Sequence, residues 1–363
     1  MVAFLIIFLT AYLGGNVYIF IRAAQALETQ SFGVKVLLTV IFWGCVLATP
    51  GFILLRNLKT SFSFGHLVHE LGTGWLVFTL YMVLLLLFFD LLKLFHIRFD
   101  FGFYCSLCLT LCLLAIGYYR YQHPSLKVIN IVINKPVDSV DKQLKVIAIS
   151  DIHLGFGTGR KQLKEYIRMI NERRPDLVVI SGDLIDNSVE PLINFNFDEE
   201  LALLQAPMGV YMVPGNHEYI SGIRESIDFI SRTSIHLLRD TVVTLPNGVQ
   251  LIGRDDRIRH SRSPLDSLVA ETNPVYPTIL LDHQPYQLED TERNGIDLQF
   301  SGHTHRGQIW PVSLLTDRIF EQSYGYRQWG KSHIYVSSGL SLWGPPFRIG
   351  TQSEMVEFNI TFN

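Results

Sequence analysis

Apolar residues gather in four long runs over the first third of the chain and then break into short alternating segments. Val2 to Ile21 and Val36 to Leu55 contain no charged side chain. A third run, centred on Gly74 to Phe89, extends to Leu92, and Phe101 to Tyr119 is the fourth. Each is close to the ~20 residues that cross ~30 Å of hydrocarbon as a helix. The pattern predicts an all-α membrane region, 1–126, with four transmembrane helices near 2–21, 36–55, 72–92 and 101–119. The first run has no basic flank of the kind that precedes a cleaved signal peptide, so it reads as a retained helix. Tyr118, Tyr119 and Tyr121 at the end of the fourth suit an interfacial belt.

Tyr121 to Lys127, with Pro124, reads as a linker. Beyond it the pattern becomes short Val- and Ile-rich segments that predict strands at 127–134, 143–150, 176–181, 209–213, 249–252, 278–281, 298–301, 333–336 and 355–361. Between the second and third, Leu163, Ile167, Met169 and Ile170 lie among charges from Arg160 to Asn171, the spacing of an amphipathic helix. Strand, helix, strand predicts an α/β domain over 127–363.

Composition divides along the same line. Residues 1–126 hold seven Lys/Arg and four Asp/Glu, leaving 23 and 29 for the rest, a net charge near −6 on the second part. Nucleic-acid binding needs basic faces, so no nucleic-acid partner is expected. All four cysteines, Cys45, Cys105, Cys108 and Cys112, fall in the apolar part and read as packing residues. The second part therefore has neither a disulfide framework nor thiolate metal ligands. Loop charges are nearly balanced: Arg22, Lys35, Lys93 and Arg98 lie on one side, Arg56, Lys59, Arg120 and Lys127 on the other. An even number of helices puts both termini on one face, read here as the cytoplasmic one. Asp90, near Lys93, reads as a paired helix-end residue. His66 and His69 read as surface histidines in a short loop.

The chemistry concentrates where strands end. Asp151 and His153 follow the strand closing at Ile149, and Gly182-Asp183 follows Leu177 to Ser181. Gly215-Asn216-His217-Glu218 follows Tyr211 to Pro214, Asp282-His283 follows Ile279 to Leu281, and Gly302-His303-Thr304-His305 follows Leu298 to Ser301. Sites in open α/β sheets gather outside the carboxyl ends of strands, so these clusters are expected to converge. Imidazole suits Zn and Fe, carboxylate and amide oxygens suit harder ions such as Mn, and a shared carboxylate can hold two ions ~3.5–4 Å apart. The glycines at 182, 215 and 302 are expected to make sharp turns at positive φ. No Gly-x-Ser-x-Gly elbow and no Walker A loop is present.

The ordered set Asp-x-His, Gly-Asp, Gly-Asn-His-Glu, His, Gly-His-x-His resembles the calcineurin-like metallophosphoesterases, over roughly residues 144–360. The resemblance implies a four-layer α/β/β/α sandwich with two divalent metal ions, Mn, Zn or Fe. It implies Asp151, His153 and His305 at the first ion, Asn216, His283 and His303 at the second, and Asp183 bridging. It implies that His217 is catalytic, beside the substrate phosphate. Such an enzyme hydrolyses a phosphate ester or pyrophosphate with a water whose pKa the cations lower. The membrane helices and Trp343 to Arg348 resemble a membrane-linked branch, implying a phosphorylated small molecule or lipid as substrate and the bilayer as partner. Arg306 departs from the glycine frequent at that place in related sequences. Asp186 reads as either an orienting residue or a helix cap; Asp282 points away from the site on an extended strand. Arg160, Lys161, Trp343 and Arg348 are candidate phosphate or lipid contacts. Two other readings are a non-catalytic scaffold, which would have lost ligands or His217, and a regulatory domain on a four-helix sensor or transporter.

Overall fold

The computed structural model describes residues 2–55, 62–97 and 99–363. These form two compact units, 1–119 with 344–349, and 120–343 with 350–363.

The first unit is helical: α1 Val2–Ala26, α2 Phe32–Leu55, α3 Phe62–Leu94 and α4 Gly102–Gln122, the last ending in the second unit. All four are long and apolar enough to cross a bilayer. Their outward faces are lined with exposed large apolar side chains such as Ile7, Leu37, Leu87 and Leu109, as lipid-facing helices require. α3 runs 33 residues, about 50 Å at the usual helical rise. It absorbs the expected loop around His66 and His69: Leu67, Val68 and Leu71 carry the helix on, and Gly72 and Gly74 do not break it. His69 is only 3% exposed, so it is not a surface histidine, while His66 faces Glu70 at 3.5 Å. Arg56, Lys59 and Arg98, part of the loop-charge balance, lie outside the described residues.

Polar groups inside this unit find partners across helices. Asn16 Oδ1 accepts from Trp75 Nε1 at 2.9 Å and Thr79 Oγ1 at 3.2 Å. Asp90 accepts from Tyr18 of α1 at 2.5 Å, with Arg22 of α1 at 3.2 Å, and within its own helix from Lys93 at 2.8 Å. Interhelical bonds of this kind act as glue where no water competes. The segment Gly344 to Ile349 packs with the same helices. Arg348 N donates to Gly117 O at 2.9 Å, and the Phe347 ring lies 6.3 Å from that of Tyr118. A Cβ on Gly117 would come within 2.7 Å of Ile349 Cγ1, so this approach needs glycine.

The second unit holds two six-stranded sheets. In chain order the strands are β1 Ser125–Ile133, β2 Gln143–Ile149, β3 Leu177–Ser181, β4 Val210–Val213, β5 Ile235–Leu237, β6 Thr241–Thr244, β7 Gln250–Gly253, β8 Thr278–Leu281, β9 Leu298–Ser301, β10 Gly325–Trp329, β11 Ser332–Val336 and β12 Glu354–Phe362. The sheet orders are β1-β12-β2-β3-β4-β5 and β10-β11-β9-β8-β7-β6. Strands β2 to β5 are mutually parallel, as are β7, β8, β9 and β11. Val146 and Ala148 of β2, Val179 of β3, Ile279 and Leu281 of β8, Phe300 of β9 and Phe358 of β12 share one buried core, which both sheets enclose.

The helix α5 Arg160–Glu172 buries Leu163, Ile167 and Ile170 as its spacing predicts, with Tyr166 completing the stripe in place of the half-buried Met169. The expected linker shrinks to His123 and Pro124, because α4 runs to Gln122 and β1 starts at Ser125. The architecture is the α/β sandwich expected, preceded in the chain by four helices apolar enough to span a membrane. Its consequence for function is directional: β2, β3 and β4 in one sheet and β8 and β9 in the other deliver their carboxyl ends to one rim.

Candidate metal centre

The rim is built by backbone hydrogen bonds that link successive strand ends. Asp151 N donates to Gly182 O at 3.1 Å and His153 N to Asp183 O at 3.0 Å. Gly302 N donates to His283 O at 2.9 Å, and His303 N reaches across to Asp151 Oδ1 at 3.0 Å. The two sheets are thus joined at the site itself.

The polar residues also take an unusual backbone conformation. Asp151, His153, Asp183, His303 and His305 all have φ between 47° and 71°, the left-handed region that ordinary residues avoid. The expected role of the glycines is corrected here. Gly182 does take φ 78°, but Gly215 sits at −104° and Gly302 is not among the positive-φ residues. Those two are needed for space. A Cβ on Gly215 would collide with Asp183 Oδ1, and one on Gly302 with Asp151 Oδ2. The chain bends at the polar residues, and the glycines let the neighbouring loops close over them.

All seven expected ligands come together. His153 Nε2 and His305 Nε2 are 3.1 Å apart, with Asp151 Oδ1 at 3.4 Å from the second and 4.0 Å from the first. Asn216 Oδ1 is 2.8 Å from His303 Nδ1 and 3.2 Å from His283 Nε2. Asp183 Oδ2 stands between the groups, 3.1 Å from His283 Nε2 and 3.8 Å from His153 Nε2. Donor atoms bonded to one cation at ~2.1 Å are spaced about 3–3.5 Å from each other. The distances within the two clusters, 2.8 to 4.0 Å, bracket that spacing, and the donor set of imidazoles, carboxylates and one amide suits Mn, Zn or Fe. The residues present therefore fit a pair of divalent cations.

Second contacts fix the rings. His283 Nδ1 lies 2.7 Å from Ser181 O, and a carbonyl only accepts, so Nδ1 carries the proton and Nε2 is left for the cluster. His217 Nδ1 is held the same way by Asp186 O at 2.5 Å. That leaves His217 Nε2 as the nitrogen that can face a substrate. The His217 ring stands 4.6 Å from the ring of His153 and 6.0 Å from that of Trp343, which is 54% exposed.

Electrostatics follow from burial and crowding. Burial pushes the Asp151 carboxyl up to about 6, His283 opposing it and Asp183 adding to it. Burial acts the same way on Asp183, but His283, His153 and His217 around it win and hold it well below the usual range. Burial, helped by His283, drives His303 down to about 4, so its imidazole is neutral and able to ligate at neutral pH.

Glu218 was quoted in the sequence motif without a role, and the structure gives it one. Its buried carboxylate accepts from Gly215 N at 2.6 Å and from Asp183 N and Ile185 N at 3.0 Å each. It pins the β3 and β4 loops to each other. Burial, with Asp183 adding, pushes it up to about 7 against those backbone bonds. The available sequence signal was a Glu three residues after Gly215, the capping-box position of the helix Asn216–Ile220.

Other candidates fall elsewhere. Arg160 is held by Glu200 at 2.8 Å and Glu199 at 2.9 Å, and Lys161 is exposed. Asp282 turns from the cluster to Arg254 at 3.0 Å and Arg262 at 3.1 Å, as expected. Asp186 Oδ1 is 3.7 Å from both His153 Nδ1 and His217 Nδ1, and it is the Asp186 carbonyl oxygen, at 2.5 Å, that holds the His217 ring. Arg306 keeps φ at 51°, the conformation glycine would adopt, with Thr304 Oγ1 accepting from its N–H at 3.1 Å and its guanidinium 4.5 Å over Tyr324. Its loop therefore keeps the glycine-like bend.

Fold and site together define a two-sheet domain with a rim able to hold two cations. Residues 144–307 match the family model described as calcineurin-like phosphoesterase. Over 225 residues the chain is 37% identical to an uncharacterized metallophosphoesterase of Helicobacter pylori, covering 60% of each protein. It is 32% identical over 223 residues to an uncharacterized metallophosphoesterase of Aquifex aeolicus, 59% of this chain and 84% of that one. It is 30% identical over 257 residues to a bovine transmembrane protein with metallophosphoesterase domain, 65% of this chain and 57% of that one. The chain thus spans under two thirds of the Helicobacter and bovine relatives. It belongs to the calcineurin-like phosphoesterase family, whose members depend on a pair of metal ions.

Proposed function

We propose that the protein is an integral-membrane, metal-dependent phosphoesterase acting on a lipid-linked or membrane-adjacent phosphate. The observation that carries this is the meeting of seven donors from five strand ends at spacings of 2.8 to 4.0 Å. Asp151, His153 and His305 would hold one cation and Asn216, His283 and His303 the other, with Asp183 placed where it could serve both. Cations bound there neutralise phosphoryl oxygens and lower the pKa of a water to near neutrality.

The chain's own work is placement and proton transfer. Asp183 keeps its charge because three histidines surround it. Asp186 O holds His217 Nδ1, which aims Nε2 at the departing oxygen, where it delivers a proton. No side-chain nucleophile is required. Trp343 offers an exposed aromatic face beside His217 for the apolar part of a leaving group. The candidate spans in the same chain and the likeness to a bovine transmembrane protein with metallophosphoesterase domain support a membrane-adjacent substrate. A scaffold without chemistry is disfavoured because every ligand position and His217 are filled.

The test is hydrolysis by purified full-length protein, stripped with chelator and reloaded with Mn, Zn or Fe. The panel holds phospholipids, nucleotide-linked acyl sugars, cyclic nucleotides and p-nitrophenyl mono- and diesters. Turnover should vanish on stripping and return on reloading. Equal turnover in stripped and loaded protein would sink the proposal.

We propose that the catalytic domain and both termini lie in the cytoplasm; the four candidate spans among the described residues support their sharing one face. Protease added to right-side-out vesicles should leave the domain intact, and cleavage of it there would reverse the assignment.

A further inference from the structure

We infer that Arg257 binds a second anionic group of the substrate, separate from the phosphoryl group that is cleaved. The inference rests on the phosphoesterase reading of the rim and adds a substrate class to it.

The segment after β7 is rich in arginine, and its arginines are neutralised with one exception. Arg254 and Arg262 share Asp282, at 3.0 and 3.1 Å. Arg259 takes Asp255 at 2.9 Å and Asp240 at 3.5 Å. Among the described residues, no carboxylate lies within ion-pair distance of Arg257, whose Nη1 is buried and has no hydrogen-bond partner. Its sequence neighbour Asp256 is taken by Gln284 Nε2, at 2.9 and 3.0 Å, and by Ile258 N at 2.9 Å. A buried guanidinium donor left unmade is costly, so its persistence calls for a reason.

Its position supplies one. Arg257 follows the carboxyl end of β7, next in the sheet to β8, whose end carries His283. The Gln284–Asp256 bond ties the two loops together. The guanidinium lies 4.2 Å over the ring of Tyr286. That ring is 5.1 Å from Phe320, which is 6.0 Å from His303. A row of rings thus leads from the second cation cluster to one held, unneutralised cation. The ring holds the planar guanidinium while its Nη1 lacks a partner, and an arginine can give two parallel bonds to a phosphate or carboxylate. A substrate whose scissile phosphoryl sits at the rim, with a further anionic group along the row, would meet both.

The test measures binding to metal-loaded full-length protein by calorimetry, with methylphosphonate and α,ω-alkanediphosphonates of increasing length. At the best length the diphosphonate should bind about 10- to 100-fold tighter than methylphosphonate, the range for a charge-assisted bond. Arg257→Ala should erase that gain and leave methylphosphonate binding unchanged, and Arg257→Lys should restore part of it. No gain at any length, or an equal loss on both ligands in Arg257→Ala, overturns the inference. Failure of the wild type to bind either ligand overturns it together with the phosphoesterase reading. Binding with the expected pattern, but no hydrolysis of the panel, leaves the anion site standing and removes the catalytic reading alone.

Discussion

Asp183→Asn is expected to lower phosphoesterase turnover by about 10³-fold or more and to reduce bound metal from two ions per chain to one or none. The size follows from where the carboxylate stands. Asp183 is buried, with Oδ2 3.1 Å from His283 Nε2 and 3.8 Å from His153 Nε2, within reach of both donor groups. Its other oxygen accepts from His217 N at 2.9 Å, so the same side chain sets the loop that carries the proposed acid. Asparagine matches the shape and keeps an acceptor for that N–H, so the loop should hold. What is lost is the negative charge between two cations, and with it the means of keeping them close. Metal counted by mass spectrometry, beside kcat with a p-nitrophenyl ester, reads both effects. A variant with two ions and ordinary turnover would end the bridging assignment.

Much of this site was legible because strand ends leave a plain trace. A short β-branched run that stops at a charged or imidazole side chain is conspicuous, and Asp151, Asp183, His283 and His303 all stand at such stops. The interior strands were legible for a related reason: β8 is wholly buried and shows the apolar run Ile279-Leu280-Leu281, while β9, equally buried, shows Leu298 and Phe300 around Gln299. The strands that escaped notice are at or near sheet edges. β5 has three residues, β6 is only half-buried, and β10, Gly-Tyr-Arg-Gln-Trp, faces solvent along most of its length. An edge strand buries one flank at most, so its sequence carries little apolar signal.

Backbone conformation at the rim was misread for a different reason. Glycine at 215 and 302 suggested positive φ, because that is glycine's commonest use. Here the two glycines yield space, and the strained torsions belong to Asp151, His153, Asp183, His303 and His305. Only the packing of loops from two sheets against one another reveals which residue bends. The loop expected at His66 and His69 failed likewise. Two histidines and three glycines look like a break, but a helix in an apolar medium has no water to satisfy a broken turn, and the helix runs through.

His217→Ala is the second large effect, and its signature depends on the substrate. The imidazole is anchored by Asp186 O through Nδ1 and stands beside His153, yet His217 supplies none of the donors of the two clusters described here. Removing it should leave both ions in place while kcat falls by about 10²–10⁴-fold on an alkyl phosphate, whose leaving oxygen needs a proton. On p-nitrophenyl phosphate the fall should be much smaller, because p-nitrophenolate departs without one. A ligand role would give the opposite pattern, metal loss and an equal fall on both substrates, and the atoms of His153, Asp183 and His217 do lie close enough together to make that a real alternative. The ratio of the two losses, set against the metal count, decides whether this histidine transfers a proton or holds a cation.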